Sequence, residues 1–338
     1  MTGAFVILYR SADRAGASVP ERSIRPATDR RKSHIRMVHV KRSLLLLAAI
    51  LAIQFLQPDG LLAANRKAKA KPKAKAAISA KSAVVMEMNT GEILFSKNPN
   101  EPIAPASLTK ILTLYLIYEA LDEGNIHTSD RVRVSSSVNQ VEGSRMRIRP
   151  GTEITLGDLM KGMAIVSAND ASVAAAEYVG GDMDEFIRRM NVKALELGMA
   201  SSRFRNPSGL REEGQVTTAT DILRLSCAYL NRFPQSLEIH SMHSFQYGRR
   251  IRSNTNHLLD TTRTVDGLKT GHVAGAGYHI VVTARKNGTR IVAVVLGSKS
   301  SGARFREARA LIEDGFRKLQ PSTSAKRMAV EPISRAGS

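Results

Sequence analysis

Two apolar runs with turn signals lie at opposite ends of the body of this chain and constrain its fold most strongly. Residues 83–95 carry Asn89-Thr90-Gly91 between two apolar runs, which predicts a β-hairpin. Residues 278–297 carry Asn287-Gly288, a strong hairpin dipeptide, and predict a second. The segments between them have a helical pattern at 107–122, 155–180, 183–197 and 218–231. This order predicts one antiparallel sheet that is completed late, with a helical subdomain inserted.

A last helix is expected at about 302–319, where apolar residues share one face. Hydrophobic residues make up 43% of the chain and aromatic residues only 5%, without Trp, so the core should be mainly aliphatic. We therefore predict an α+β catalytic domain over 78–319. The tail, 320–338, has two prolines and no amphipathic stripe, so we expect it to be disordered and see no C-terminal membrane anchor in it.

The charge of the chain is uneven. It carries 50 Lys and Arg against 30 Asp and Glu, and more than half of the excess lies in residues 1–76. Lys41-Arg42 precedes the apolar run 44–56, which is typical of a secretory signal over 37–64 and is too short to span a bilayer. Leu62-Ala63-Ala64 is a candidate cleavage site, so export to the periplasm or cell envelope is expected. An uncleaved anchor and a buried core helix are the alternatives.

Two further segments flank this signal. Residues 1–36 form a polar, Arg-rich extension, and we hypothesise that translation begins at Met37 instead. Residues 65–77 alternate Lys and Ala, which predicts an extended tether that is attracted to the anionic envelope. No aromatic residues interleave these lysines, so nucleic acid is not an expected partner. The lone Cys227 excludes an internal disulfide and a Cys-cluster metal site.

Ser107-Leu108-Thr109-Lys110 opens a strongly apolar helical stretch and is the only Ser-x-x-Lys of the chain. Residues three apart on a helix share a face, so Lys110 can reach the Ser107 hydroxyl. A serine nucleophile needs a neighbouring base, and a lysine serves only if burial or another cation keeps it neutral. The alternative is that Ser107 merely caps the helix.

Two other motifs offer polar groups for a cleft. Ser167-Ala168-Asn169 lies in a stretch of small and apolar residues, where Ser167 could relay a proton and Asn169 could bind a substrate carbonyl. Lys269-Thr270-Gly271 precedes the second hairpin, where the lysine would offer a fixed positive charge and the glycine a close backbone approach. A helix cap and a turn before a strand are the respective alternatives.

In this order and spacing, the three motifs together resemble those of the penicillin-recognising serine enzymes. Further segments are similar to those of the serine-type D-alanyl-D-alanine carboxypeptidases, the low-molecular-mass penicillin-binding proteins, and the resemblance covers about 80–318. These segments are Phe204–Leu210, Thr217–Ile222, Asn254-Thr255-Asn256 and Asp266–His272. The resemblance implies the β-lactamase/transpeptidase-like fold: a five-stranded antiparallel sheet flanked by helices, plus an all-helical subdomain.

The resemblance also implies roles. Ser107 would be the acylated nucleophile, Lys110 its base, and Ser167 and Asn169 their catalytic partners. The backbone N–H groups of Ser107 and His272 would bind the oxyanion. The substrate side would consist of Lys269, Thr270, Gly271, His272 and Arg304, with Arg304 gripping the terminal carboxylate. The implied substrate is the D-Ala-D-Ala end of peptidoglycan stem peptides, β-lactams would inhibit, and no cofactor or metal is expected.

Two departures and two rival functions remain. Val273 stands where the family often has a hydroxyl residue, and Ala168 where glycine is common. A serine β-lactamase of the same superfamily is one alternative, although no Glu-x-x-Leu-Asn loop lies between Asn169 and Lys269. A non-catalytic basic envelope-binding protein is the other. Carboxypeptidase, endopeptidase and transpeptidase activities are not distinguished, and neither is the oligomeric state.

Overall fold

A computed structural model describes residues 78–320 of the protein, and the structural statements below concern this part. The predicted extension (1–36), signal (37–64), tether (65–77) and all but the first residue of the tail (320–338) lie outside the described residues. Among the helices of 78–320, none is long and apolar enough to cross a membrane.

The described chain has strands at both ends and helices between them, as predicted, but its middle segment also contains four short strands and two four-residue helices that were not predicted. The strands of the described chain are β1 (Ser82–Glu87), β2 (Ile93–Lys97), β3 (Arg131–Arg133), β4 (Glu153–Thr155), β5 (Ser244–Tyr247), β6 (Arg250–Ser253), β7 (Val265–Val273), β8 (Gly277–Lys286) and β9 (Thr289–Ser298). Its α-helices are α1 (Thr109–Asp122), α2 (Leu156–Ile165), α3 (Asn169–Gly180), α4 (Met183–Glu196), α5 (Ala219–Arg232), α6 (Leu237–His240), α7 (Leu258–Thr261) and α8 (Ser301–Lys318).

The main sheet has five antiparallel strands in the order β2-β1-β9-β8-β7. Both predicted hairpins are confirmed, as β1–β2 and β8–β9. The two hairpins join where β1 pairs with β9, with Val84 opposite Val294. The sheet is therefore closed by segments from the two ends of the described chain, and the helices of the middle are inserted between them. The predicted α+β class and sheet are confirmed.

Alternating residues of the central strands face two separate cores. Val84 and Val294 belong to the core that the sheet shares with the helices of the middle segment. Val85 and Val295 point to the opposite face, where they pack with Ile312 and other apolar residues of α8. Because side chains alternate along a strand, one sheet supports both layers. The predicted aliphatic composition of the core is confirmed by these valines, leucines and isoleucines.

Helix α1 lies inside the helical subdomain, and every residue from Thr109 to Tyr118 is buried. A helix that is apolar on all sides must be surrounded by protein, and α1 contacts α2, α3, α4 and α5. A short 3-10 turn, Ala106–Leu108, leads into it. The sequence motif Ser107-x-x-Lys110 thus falls at the entry of the most buried helix.

The predicted continuous helix over 155–180 is wrong. The chain forms α2, breaks at residues 166–168, and resumes as α3. Ser167 lies in the left-handed region with φ of 61°, which an α-helix cannot contain. The apolar pattern runs through the break because Val166 and Ala168 are both buried, so hydrophobic periodicity does not reveal it. The other predicted helices are confirmed to within two residues at each end.

Candidate active site

Ser107 lies in the 3-10 turn that precedes α1, and its Oγ is 3.1 Å from the Nζ of Lys110. The backbone just before it is strained, since Ala106 has a φ of 49°. Gly209 packs directly against this turn: a Cβ atom there would lie 1.8 Å from the carbonyl oxygen of Ala106. The backbone at Gly209 therefore packs against the turn that carries Ser107, and only glycine fits at this position.

The Lys110 side chain is fully buried and has three oxygen neighbours. Besides Ser107 Oγ, its Nζ lies 2.7 Å from Asn169 Oδ1 and 2.6 Å from the backbone carbonyl oxygen of Ser208. Burial lowers the pKa of Lys110 well below its usual value, and the charge of Lys269 lowers it further. Asp170 opposes the shift. A buried lysine of depressed pKa within hydrogen-bond distance of a serine can act as a base.

The break between α2 and α3 contains Ser167 and directly precedes Asn169, which contacts Lys110. Asn169 starts α3, and its backbone N–H donates to Ser144 O at 2.7 Å while Nδ2 donates to Glu142 O at 2.6 Å. These two bonds leave Oδ1 of Asn169 to Lys110. Ser167 is buried two residues earlier, in its left-handed conformation. An uninterrupted helix would not place the two residues in this way.

Strand β7 forms the opposite side of the cleft and carries Lys269, Thr270 and Gly271. A Cβ atom on Gly271 would lie 3.1 Å from Ala106 Cβ and 3.3 Å from the backbone nitrogen of Ser107. The strand therefore runs against the turn that presents Ser107, and it can approach this closely because residue 271 lacks a side chain. Gly271 and Ser107, which meet here, are 164 positions apart in the sequence (271 − 107).

Lys269 is buried, and its Nζ donates to Thr270 O at 3.1 Å. Burial lowers its pKa to about 7, and the Arg304 charge contributes to the shift. Thr270 Oγ1 lies 2.8 Å from Thr255 Oγ1, in the Asn254-Thr255-Asn256 segment. The charge of Lys269 in turn lowers the pKa of Lys110.

His272 and Arg304 occupy different environments. The His272 ring is exposed and stacks on Tyr278, with ring centroids 4.2 Å apart. The Arg304 guanidinium is buried at the start of α8, where one Nη donates to Gly271 O at 3.1 Å and to His279 O at 3.3 Å. Its Nε is buried without a partner among the described residues. Arg304 therefore supports the end of β7 as well as lying near Lys269.

Sequence reasoning missed three contributors to the site. Ser208 acts through its backbone carbonyl, which no sequence motif displays, although it lies within the segment Phe204–Leu210. Asp170 is buried beside the site and accepts backbone N–H groups from residues 146–148. His279 joins the segment before Ser107 to the sheet. Its Nε2 lies 3.0 Å from Ala104 O, and its Nδ1 accepts from Gly297 N.

Burial lowers the pKa of His279 to about 4, so its ring is neutral near pH 7. Since Nδ1 accepts a hydrogen bond, Nε2 carries the proton that is donated to Ala104 O. Among residues 78–320, no group of three His, Cys, Asp or Glu side chains is arranged to hold a metal ion.

Solved structures that are similar to this chain include penicillin-binding proteins. The chain is 35% identical to penicillin-binding protein 5 from Haemophilus influenzae, with a TM-score of 0.69, covering 71% of each chain. It is 30% identical to penicillin-binding protein D2 from Listeria monocytogenes in an ampicillin-bound form, with a TM-score of 0.66. That match covers 71% of this chain and 99% of the other.

The family follows from the sequence itself. The model of the family described as D-alanyl-D-alanine carboxypeptidase matches residues 66–300, and the chain belongs to this family. It is 39% identical over 259 residues to D-alanyl-D-alanine carboxypeptidase DacF of Bacillus subtilis (strain 168), covering 73% of this chain and 65% of that protein. The chain spans just under two thirds of the length of the first curated relatives it matches.

Proposed function

We propose that this protein is a serine D-alanyl-D-alanine carboxypeptidase that removes the terminal D-Ala of peptidoglycan stem peptides through an acyl-serine intermediate on Ser107. Family membership supports the reaction class, and the buried contact of Lys110 with Ser107 carries the assignment of residues. Ser107 Oγ attacks the penultimate D-Ala carbonyl and its proton passes to Lys110. The C–N bond then breaks, and the leaving amine takes up a proton.

The hydrogen bonds of Lys110 support its role as the base. The oxygens of Asn169 Oδ1 and Ser208 O can only accept, so each takes one N–H of the lysine. A neutral amine has two N–H groups and one lone pair, and the lone pair is then left for the Ser107 hydroxyl proton. The lowered pKa of Lys110 favours this neutral form. Burial and hydrogen-bond geometry therefore both favour the neutral amine of Lys110.

The remaining residues complete the proposal. The backbone N–H groups of Ser107 and His272 bind the developing oxyanion, and the close approach of β7 at Gly271 supports this placement. Ser167 relays a proton to the leaving amine. Lys269, Thr270 and Arg304 read the free carboxylate of the terminal D-Ala, because Arg and Lys form charge-assisted hydrogen bonds with carboxylates. Water then hydrolyses the acyl-serine ester.

Two extensions follow from the same proposal. Penicillins acylate Ser107, as the ampicillin-bound relative suggests. Residues 37–64 direct export, so the protein meets its substrate in the cell envelope, and the Lys and Ala tether at 65–77 contacts anionic envelope material. A persistent penicilloyl-enzyme, with a lifetime of hours, distinguishes a carboxypeptidase from a β-lactamase that deacylates within milliseconds.

The test is fluorescent penicillin labelling with peptide mapping, together with measurement of D-Ala release from a peptide that ends in D-Ala-D-Ala. We expect one labelled peptide containing Ser107 and release of one D-Ala per peptide. Ser107→Ala should abolish labelling, and Lys110→Ala should slow it by roughly three orders of magnitude or more, since both belong to one catalytic unit. Lys161→Ala, a lysine on α2, is the matched control.

Covalent labelling that persists in a folded Ser107→Ala protein contradicts the assignment of the nucleophile. Labelling of the wild type without D-Ala release contradicts the carboxypeptidase activity and favours a binding protein or a transpeptidase. Detection of cross-linked peptide product would identify a transpeptidase.

A further inference from the structure

A groove of about 670 Å³ lies beside the proposed active site and is lined by five arginines. They are Arg145, Arg147, Arg149, Arg249 and Arg250. The first three come from the segment before β4 and the last two from the β5–β6 hairpin, some 100 residues later in the chain. All five are exposed. The fold thus assembles one basic surface from two distant segments of the sequence.

The backbone of the first segment is fixed by a buried carboxylate. Asp170 accepts the backbone N–H groups of Met146, Arg147 and Ile148 at 2.7 to 3.2 Å. Met146 and Ile148 are buried, so the arginine side chains at 145, 147 and 149 face outward. Asp170 has its oxygens engaged by these N–H groups, and it anchors the segment that bears the arginines.

The hairpin is tied to the same segment, because Arg252 Nη2 donates to Arg145 O at 3.4 Å. None of the five groove arginines forms an ion pair or a side-chain hydrogen bond with another residue of the part that the structure describes. Guanidinium groups stay protonated, and like charges that share a groove repel one another. A multiply charged anion would remove this repulsion.

We propose that this groove, which we call the arginine groove, binds a ligand that carries several phosphate groups along a chain. Each guanidinium can donate two parallel hydrogen bonds to a phosphate, and five of them match a repeated anion better than a single carboxylate. Tyr247 is the one aromatic residue among the lining residues. A single ring offers no platform for successive bases, so the ligand is a phosphate polymer without nucleobases.

The experiment compares two triple variants of the full chain, using long-chain inorganic polyphosphate as the probe. One variant changes the groove (Arg145→Gln, Arg147→Gln, Arg149→Gln). The control changes three exposed arginines elsewhere (Arg211→Gln, Arg263→Gln, Arg285→Gln), so both lose the same charge. We expect the groove variant to bind polyphosphate about tenfold more weakly or worse, and the control to stay within about twofold. Thermal melting checks that both are folded.

The Lys-rich segment 65–77 is present in every variant and could itself bind polyphosphate. A second measurement therefore maps binding to individual arginines. Arginine modification is mapped by mass spectrometry with and without polyphosphate. We expect protection at 145–149 and 249–250 and none at 211, 263 or 285. Equal weakening in both variants, or protection at neither groove segment, overturns the proposal, since binding would then follow net charge alone.

Two further outcomes also overturn it. Tighter binding of a single-stranded oligonucleotide than of polyphosphate with the same number of phosphates would assign the groove to nucleic acid. A rise in the KM for an acidic D-Ala-D-Ala peptide in the groove variant, with polyphosphate binding unchanged, would make the groove part of the peptide site. Neither readout of polyphosphate binding depends on the proposed carboxypeptidase activity.

Discussion

The two sides of the cleft are built in different ways. On the helical side, Lys110 and Asn169 are fixed by hydrogen bonds to loops that are distant in sequence, and the backbone at Ala106 and Ser167 adopts positive φ. On the sheet side, Lys269 and Gly271 pair with Val281 and His279 of β8 in an antiparallel ladder. A backbone with positive φ keeps its conformation only through the few contacts around it. The conformation of a paired strand is held by many hydrogen bonds of the ladder. Single changes should therefore disturb the helical side more.

Apart from changes to Ser107 and Lys110 themselves, the largest effect is expected for Gly209→Ala. The new Cβ would overlap the Ala106 carbonyl and displace the turn that presents Ser107. We expect acylation by penicillin to fall at least about 100-fold, with a loss of about 1–3 kcal/mol or more of stability. Acylation kinetics and thermal melting measure both. The control is Gly124→Ala, which has a similar positive φ but open space around it, and near-normal acylation in that protein isolates the overlap. Equal losses in the two would mean that φ alone matters.

The strand side can be tested through Lys269→Met, which removes a buried charge. The pKa of Lys269 is lowered to about 7 from 10.5, so between these values the folded state binds fewer protons than the unfolded state. Wild-type stability should rise with pH across this window. We expect Lys269→Met to gain on the order of a few kcal/mol relative to wild type near pH 7 and less toward pH 10, while D-Ala release falls.

Melting curves from pH 7 to pH 10 check this, with Lys286→Met, an exposed lysine, as the control. A constant difference between wild type and Lys269→Met across that range contradicts a buried charge at this position.

A smaller effect is expected for Arg304→Ala. If Arg304 reads the terminal carboxylate, turnover of a peptide with a free D-Ala carboxylate should fall roughly tenfold, while a small thioester without one reacts almost normally. Because Arg304 also donates to Gly271 O and His279 O, it has a supporting role that could affect both substrates. Equal losses would show that support of β7 dominates. Steady-state kinetics on the two substrates separate these roles.

The smallest effect is expected for His272→Ala. Its imidazole is exposed and stacks on Tyr278, and only its backbone N–H is assigned to the oxyanion. We expect kcat for D-Ala release to change by less than about threefold, since the backbone N–H remains. A collapse of kcat in a protein that melts normally would give the imidazole a part in the reaction.

The two sides of the site also differ in how much of them can be predicted from the sequence. The two hairpins follow from apolar runs with turn residues such as Asn287-Gly288, and the Ser107 and Lys110 pair follows from helical spacing, so these were predicted, whereas the short strands β3 to β6 were not. The break at Ser167 was not, because buried residues flank it on both sides. Two contacts were not predicted either: the bond of Lys110 Nζ to the Ser208 carbonyl oxygen, and the bond of the His279 ring to the Ala104 carbonyl oxygen. They are contacts across 98 and 175 residues, set by tertiary packing alone.

The pairing of β1 with β9 has a consequence for the order in which the molecule assembles. Strand β9 is the only link in the sheet between the β1–β2 hairpin and the strands β8 and β7. A growing chain that lacks β9 has Ser107 and Lys269 on parts that no strand pairing connects. Contacts of such long sequence separation form slowly, after a large loop has closed. We therefore expect Ser107 and Lys269 to come together late, after residues near 298 have been synthesised.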